Sequence, residues 1–353
     1  MNIILIILVF GIVVFFHELG HFIVAKINHI AVNEFSIGMG PAIFSFQKKE
    51  TKYSLRILPI GGYCMMLGEN EESEDENAFS NKPVWVRILV IAAGPFFNFI
   101  LALVFSVILI IGCGYDEAKI AAVNPEGAAY EAGIEVGDTI VEIGGKKVHF
   151  FREIQIYMLT HESASPIDMV VKKTDGSREK VTVIPKQGED GNYYIGISRD
   201  RYNVAAKGVG GTLKYAFYET GYWVNATFSS LKLIFTGGVK STDIMGPVGV
   251  GGAFNDIIEE VKEESSGVKE TMLNIILNMI NWCILLSVNL GIMNLLPVPA
   301  LDGGRLLFLF IEAIRRKRIP QEKEAIVNLI GFALLMILMV LVFFNDIKNV
   351  FFS

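Results

Sequence analysis

The sequence predicts an α-helical membrane protein of about four transmembrane helices, interrupted by a short β-rich segment and one small inserted domain. Three observations predict it. The chain of 353 residues is 52% hydrophobic and only 19% charged, with a mean hydropathy of +0.46, which sets it apart from ordinary soluble domains. Four runs, about 2–25, 86–111, 272–296 and 325–344, are long and apolar enough to cross roughly 30 Å of hydrocarbon. Between the second and third runs the apolar stretches shorten, and turn residues appear at Asn124-Pro125-Glu126-Gly127, Asp175-Gly176 and Asp190-Gly191.

The first run reads as a retained span rather than a cleaved leader. It has no basic segment ahead of it and no small-residue cleavage site, and its first positive charge, Lys26, follows it. Charge also orients the chain. Lys26, Lys48, Lys49, Lys52, Arg56, Lys82 and Arg87 lie between or beside the first two spans, and Arg315, Arg316, Lys317, Arg318 and Lys323 lie between the last two. The positive-inside rule makes both loops cytoplasmic, so both termini and the 112–270 region face outward. A formal net charge of −6 argues against nucleic acid as a partner. The three cysteines, Cys64, Cys113 and Cys283, imply no disulfide framework.

Near the end of the first span stands His17-Glu18-Leu19-Gly20-His21. On a helix, His17 and His21 project from one face four residues apart, where two imidazoles can share a Zn²⁺, with Glu18 beside the metal as a candidate general base. Ionisable side chains at membrane depth cost roughly 2.5–3.5 kcal/mol each on insertion scales, so a chain that keeps them there uses them. Two histidines and a water leave a tetrahedral ion one protein ligand short. His29, His149 and His161 are poor candidates for the gap. Asp302 is a better one: it follows Pro297 and Pro299 at the cytoplasmic end of the third span, at the depth expected for the histidines. Gly303 and Gly304 allow close backbone approach there. In the second span, Gly94-Pro95 and Asn98 allow tight packing and bring a polar group near the site; ordinary helix packing explains them equally.

Residues 31–63 read as strands, at 32–37, 42–47 and 53–58, separated by Gly38-Met39-Gly40-Pro41 and by Lys48-Lys49-Glu50-Thr51-Lys52. Two readings stand: a soluble cytoplasmic hairpin, or a membrane-associated β-hairpin that dips to the metal and offers a substrate an edge strand from 42–58. The acidic stretch 69–77 reads as a loop. Residues 128–148 carry Ala-x-x-Ala-Gly-Ile-x-x-Gly-Asp-x-Ile-x-x-Ile-Gly-Gly, starting at Ala129 within that stretch, and resemble the signature of PDZ domains, which grip a peptide or chain end by strand addition. The helix flanking such a groove falls at about 151–160, and Tyr193-Tyr194-Ile195-Gly196-Ile197 is a candidate for the loop at its end. A domain that binds no peptide remains the other reading. Thr212 to Phe235, with Tyr215, Tyr218, Tyr222 and Trp223, reads as an amphipathic helix lying on the outer membrane face. The expected divisions are a catalytic membrane core at 1–116, the PDZ domain at 117–200, the surface helix and a linker at 201–270, and the second half of the core at 271–353.

Taken in order, H-E-L-G-H at 17–21, F-S-I-G-M-G-P at 35–41, L-P-I-G-G-Y at 58–63, A-G-P-F-F-N-F at 93–99, one PDZ-like insert and N-L-L-P-V-P-A-L-D-G-G at 294–304 resemble the bacterial site-2 proteases of the regulator-of-sigma-factor type. The resemblance implies a zinc endopeptidase of the bacterial cytoplasmic membrane that performs regulated intramembrane proteolysis. It implies His17, His21 and Asp302 as zinc ligands, Glu18 as the group that activates water, and Asn294 as a contact to the substrate backbone; Asn98, Gly61 and Gly62 are further candidate substrate contacts. The implied partners are single-span membrane proteins such as anti-sigma factors or signal-peptide remnants, together with the lipid bilayer. Room for one PDZ domain, where Gram-negative members often carry two, is a departure. Two other classes compete: a membrane-anchored PDZ peptide receptor with a non-catalytic metal site, and a transporter using the same side chains as an ion relay. The absence of repeated halves counts against the transporter.

Overall fold

The computed structural model describes residues 2–69, 71, 73–161, 163–189, 191–200, 203–236, 246–265 and 267–352. The turn expected at Asp190 and part of the linker expected within 201–270, residues 237–245, lie outside them. In chain order the main elements begin with α1 (Asn2–Ile27), β1 (Val32–Lys48), β2 (Thr51–Met66), α2 (Val84–Cys113), β3 (Ile120–Val123), α3 (Ala128–Glu131), β4 (Thr139–Ile143) and β5 (Lys146–Lys147). They continue with α4 (Phe151–Leu159), β6 (Ile167–Lys172), β7 (Arg178–Val183), β8 (Lys186–Gln187), β9 (Tyr193–Tyr194) and β10 (Ile197–Arg199). The last five are α5 (Gly208–Thr236), α6 (Pro247–Glu264), α7 (Val268–Leu295), α8 (Asp302–Arg315) and α9 (Gln321–Phe352). Among the described residues, four helices are long and apolar enough to cross a membrane: α1, α2, α7 and α9. They match the four runs read from the sequence. The chain divides into two compact units, one of residues 1–106 and 237–353, the other of residues 107–236.

In the first unit, β1 and β2 pair antiparallel, but in two registers at once. Ile37 pairs with both Leu55 and Gly62, and Phe35 with both Tyr53 and Cys64. The first half of β1 is therefore flanked on both sides by β2, and the sheet curls. Left-handed glycines make the curl possible: Gly38 (φ 85°) and Gly40 (φ 86°) bend the strand without ending it. The sequence suggested a break there; the chain instead runs through. Arg56 pins the bend, donating to Ser36 Oγ (2.8 Å), Glu34 Oε1 (2.7 Å) and the Gly40 carbonyl (2.6 Å). Burial alone would raise the Glu34 carboxyl, but donation from Ser54, Arg56 and Tyr63 holds it below the ordinary range. The root of the sheet packs Val32, Phe35, Cys64 and Met66 against Ala25 of α1, Val90 and Ile91 of α2, and Leu306 and Leu309 of α8.

Two helices of this unit were not expected. α6 starts at Pro247, whose missing N–H suits a first helical turn, and two orphan amides there are met by Asp346. Gly246 N–H donates to Asp346 Oδ1 (2.8 Å) and Gly249 N–H to Oδ2 (3.0 Å). Phe254 and Ile258 of α6 pack with Val9 of α1 and Cys283 of α7. α8 begins at Asp302 itself and buries Leu306 and Leu309, so the loop expected between the last two spans is mostly helix.

The second unit holds a sheet of order β5-β4-β6-β7, all antiparallel, and two shorter pairs, β3 with β10 and β8 with β9. Its core is aliphatic: Ile120, Ile134, Ile140, Ile143, Ile154, Ile167, Val171 and Val183 are nearly inaccessible. Gly144 and Gly145, both at positive φ, close the β4–β5 hairpin as a two-residue turn requires. Helix α5 belongs to this unit and is stapled to it by aromatic rings and one buried charge. Tyr215 stacks on Tyr115 at 3.6 Å and Tyr218 on His149 at 3.7 Å. Arg152 lies over Phe150 and Tyr222 and pairs with Asp116 and with fully buried Glu219. Trp223 Nε1 donates to the other Glu219 oxygen at 3.0 Å.

Candidate metal centre

Helix α1 carries His17 and His21 on one face, both buried. Their rings meet α2 along one stripe, since Val90, Gly94 and Asn98 follow at four-residue steps. His21 Nδ1 lies 2.9 Å from the Val90 carbonyl oxygen. A carbonyl only accepts, so Nδ1 holds a proton, and the neutral ring then presents its lone pair at Nε2. His17 Nδ1 faces the side-chain amide of Asn98 at 3.1 Å. Gly94 lies between them and has to be glycine. A Cβ there would sit 2.2 Å from His21 Nε2 and 2.9 Å from His17 Cε1. Gly20 does the same service on α1, where a Cβ would fall 2.4 Å from the Ala93 carbonyl oxygen.

The third group comes from the α7–α8 connection. Leu296 ends α7 ahead of Pro297, and the chain turns through Ala300 at φ 73°. It packs so closely onto the start of α8 that a Cβ on Gly303 would lie 1.9 Å from the Leu296 carbonyl oxygen, and one on Gly304 2.5 Å from that of Val298. The two glycines let α8 begin at Asp302, whose carboxylate benefits from the first-turn amides and the helix dipole. One turn on, Arg305 pairs with Glu69, tying α8 to the turn after β2.

Asp302 Oδ2 stands 3.2 Å from His17 Nε2 and 3.3 Å from His21 Nε2, and the two imidazole nitrogens are 3.3 Å apart. Ligand atoms about 2.0–2.1 Å from a tetrahedral ion lie about 3.3–3.4 Å from one another, so these three separations are edges of such a tetrahedron. Asp302 Oδ2 is buried with no hydrogen-bond partner. A lone pair on His21 and a carboxylate oxygen held edge to edge repel unless a proton or a metal ion lies between them, and the donor set of two nitrogens and one oxygen suits zinc. Among the described residues this is the one cluster of His, Cys, Asp or Glu side chains close enough to hold a metal ion.

A cavity of about 340 Å³ opens on the cluster. Glu18 is in its wall, as are Ile91, Glu69 and the end of β2 from Tyr63 to Met66. Gly62 makes room for Glu18: a Cβ there would be 3.1 Å from Glu18 Cγ and 2.9 Å from the Ser36 carbonyl oxygen. Gly61 sits beside it at φ 82°. The part of β2 that lines the cavity is Tyr63 to Met66. Within 42–58, the run 52–55 is enclosed between 34–37 and 44–47 of β1, while 44–47 pairs on one side only. None of the four expected substrate contacts, Asn294, Asn98, Gly61 and Gly62, is among the residues that line this cavity. Asn98 is wholly buried with its amide against His17, and Asn294 is buried one residue before the end of α7; neither lines the cavity. Val90, whose contribution is a backbone carbonyl, has no sequence signal at all.

The family model described as peptidase family M50 matches residues 5–338. The chain belongs to that family. It is 34% identical to the regulator of sigma-W protease RasP of Bacillus subtilis, covering 98% of each chain, and 34% identical to the zinc metalloprotease RasP of Geobacillus kaustophilus, covering 99% of this chain and 98% of the relative. A chain from Clostridium perfringens that carries a zinc-metalloprotease name is 41% identical, with 98% of each covered. Among solved structures, the PDZ domain of an SdrC-like protein from Listeria innocua matches with a TM-score of 0.23 and 19% identity, over 25% of this chain and 98% of that one. As an M50 peptidase of the site-2 type, the protein is a multi-pass, membrane-embedded zinc metalloprotease.

Proposed function

We propose that this M50 protease cuts single-span membrane proteins below the bilayer surface, with His17, His21 and Asp302 holding Zn²⁺ and Glu18 as general base. The observation that carries the assignment is the set of three near-equal separations, 3.2, 3.3 and 3.3 Å, between the side-chain donor atoms of α1 and α8. Zinc, when bound, supplies Lewis acidity toward a carbonyl oxygen and toward water. Glu18, in the same cavity, takes a proton from water onto its carboxylate and hands it to the leaving nitrogen. A transmembrane helix hides its peptide bonds in its own hydrogen bonds and has to unwind before attack. Strand 61–66, paired with β1 on one edge, replaces the lost bonds on the other, and Gly61 and Gly62 let a substrate backbone come close. Asn294 enters this reading through the motif shared with the family, as a contact to the substrate backbone.

The β1–β2 hairpin, which exposes Ile43, Phe44, Phe46, Ile57 and Leu58, is membrane-associated in this reading. Both termini and the module at 117–200 face outward across the bacterial cytoplasmic membrane, following the basic loops. That module, a PDZ domain by its signature, acts as a tether or size filter, and α5 lies along the outer surface. The substrates are remnants left by an earlier outside cut, anti-sigma factors or signal peptides; the sigma-W name of the Bacillus subtilis relative supports the first of these.

Glu18→Gln tests the assignment, because it keeps the ligand set and removes the base. Purified in detergent, it should bind zinc as the wild type does and leave a model single-span substrate uncut; undiminished turnover would remove Glu18 from the mechanism. Asp302→Ala should lose most of its zinc on dialysis, and full metal content would remove Asp302 from the ligand set. A peptide receptor with a closed metal site would instead bind substrate and yield no product with any variant, wild type included.

A further inference from the structure

Resting on the metal assignment above, we infer that Asn98 is a positioning residue for His17: its side-chain oxygen accepts the His17 Nδ1 proton and so turns the Nε2 lone pair toward the ion. An imidazole that binds a metal through Nε2 carries its proton on Nδ1, and that proton needs an acceptor when buried. For His21 the acceptor is visible, the Val90 carbonyl at 2.9 Å. For His17 the group in reach of Nδ1 is the Asn98 amide at 3.1 Å, on the same stripe of α2 two turns further on.

The two ends of an amide have nearly the same shape, so the hydrogen-bond surroundings decide which end faces the ring. With nitrogen toward His17, Asn98 Oδ1 is buried without any hydrogen-bond partner. That orientation would also force Nδ1 to accept, leaving the proton on Nε2, between His21 Nε2 and Asp302 Oδ2. Turned over, the amide offers its oxygen to Nδ1 and the nitrogen lone pairs of both rings converge on Asp302. Asn98 cannot easily move away. It is fully buried, and its own carbonyl accepts from Ser287 Oγ of α7 at 2.8 Å. One helix thus sets both tautomers, by a carbonyl at 90 and an amide at 98, with Gly94 clearing the space between.

Zinc affinity read by chelator competition, alongside melting of the metal-free protein, tests this without using activity. Asn98→Leu, close in volume and without an acceptor, should weaken zinc binding by roughly 10–100-fold while the metal-free melting temperature stays near that of the wild type. Asn98→Asp, an acceptor at either atom, should restore affinity. His17→Ala is the parallel control. If it loses zinc while Asn98→Leu binds as tightly as the wild type, Asn98 does not position the ring and the inference falls. Equal weakening in Asn98→Leu and Asn98→Asp, with both metal-free proteins less stable, would show a packing role and overturn it too. Wild-type affinity in His17→Ala would instead overturn the metal assignment beneath it.

Discussion

The metal centre and the second unit hold their key groups in place by opposite means. Around His17 and His21, position is set by side chains that are missing. Gly20, Gly94, Gly303 and Gly304 each face an atom that a single added carbon would strike. In the second unit, α5 is positioned by side chains that are present: stacked tyrosines, and Arg152 between Asp116, Glu219 and two rings. The lesson is that the first region should fail when something is added and the second when something is taken away. In the first, function goes while most of the fold stays. In the second, the fold goes and the metal stays.

The widest separation should come from Gly94→Ala. Its new methyl falls 2.2 Å from His21 Nε2, and the ring has to leave its place. Zinc affinity should drop by at least about 100-fold, more than for a lost outer hydrogen bond, while overpacking costs the fold only about 1–3 kcal/mol. A variant that keeps its zinc would show that α1 and α2 can separate freely, and the contrast would lose its first half. Arg152→Ala comes next. It strands the buried Glu219 carboxylate and should destabilise the second unit by roughly 3–5 kcal/mol, seen as an earlier melting step, with zinc content unchanged. Loss of zinc in that variant would mean that the two regions do not fail separately.

Gly62→Ala sharpens the comparison within the metal unit. Crowding Glu18 at 3.1 Å and Ser36 at 2.9 Å, it should cut turnover about tenfold with zinc retained, because it disturbs the base and not the ligands. The smallest effect is expected from Glu34→Gln. Glu34 has a lowered folded value, so its contribution is full above the ordinary carboxylate range and disappears as pH falls through that lowered value. The variant should melt earlier than the wild type at about pH 7, by an amount worth about 1–2 kcal/mol, and together with it in strong acid. A difference that grows toward acid would have the wrong sign and would refute the assigned network.

What could be read from the sequence follows the same division. The spans, the His17–His21 pair and the small residues near them were legible because lipid makes polar residues costly and apolar runs long. Asp302 was legible through topology, since the positive-inside rule brought it to the depth of the histidines. Gly94 could be suspected from its place beside Pro95. Less visible were features decided by tertiary packing. Tyr63 to Met66 line the cavity and pair with the same half of β1 that 52–55 borders, and no local pattern in β2 announces that second register. Helix α6 was hidden because its sequence is only mildly apolar, and its start is met by Asp346, a hundred residues on. Asn98 shows as a polar residue in a span, but only its distance to His17 tells what it does.

The central claim, that two nitrogens of α1 and one oxygen of α8 surround a single zinc, is tested most directly by zinc-edge X-ray absorption on the purified full-length protein and on Asp302→Ala. The wild type should show a shell of two imidazole nitrogens with light oxygen ligands at about 2.0–2.1 Å and no sulfur, and Asp302→Ala should lose an oxygen or the metal itself. A sulfur in the shell, or a spectrum left unchanged by removing Asp302, would contradict the account.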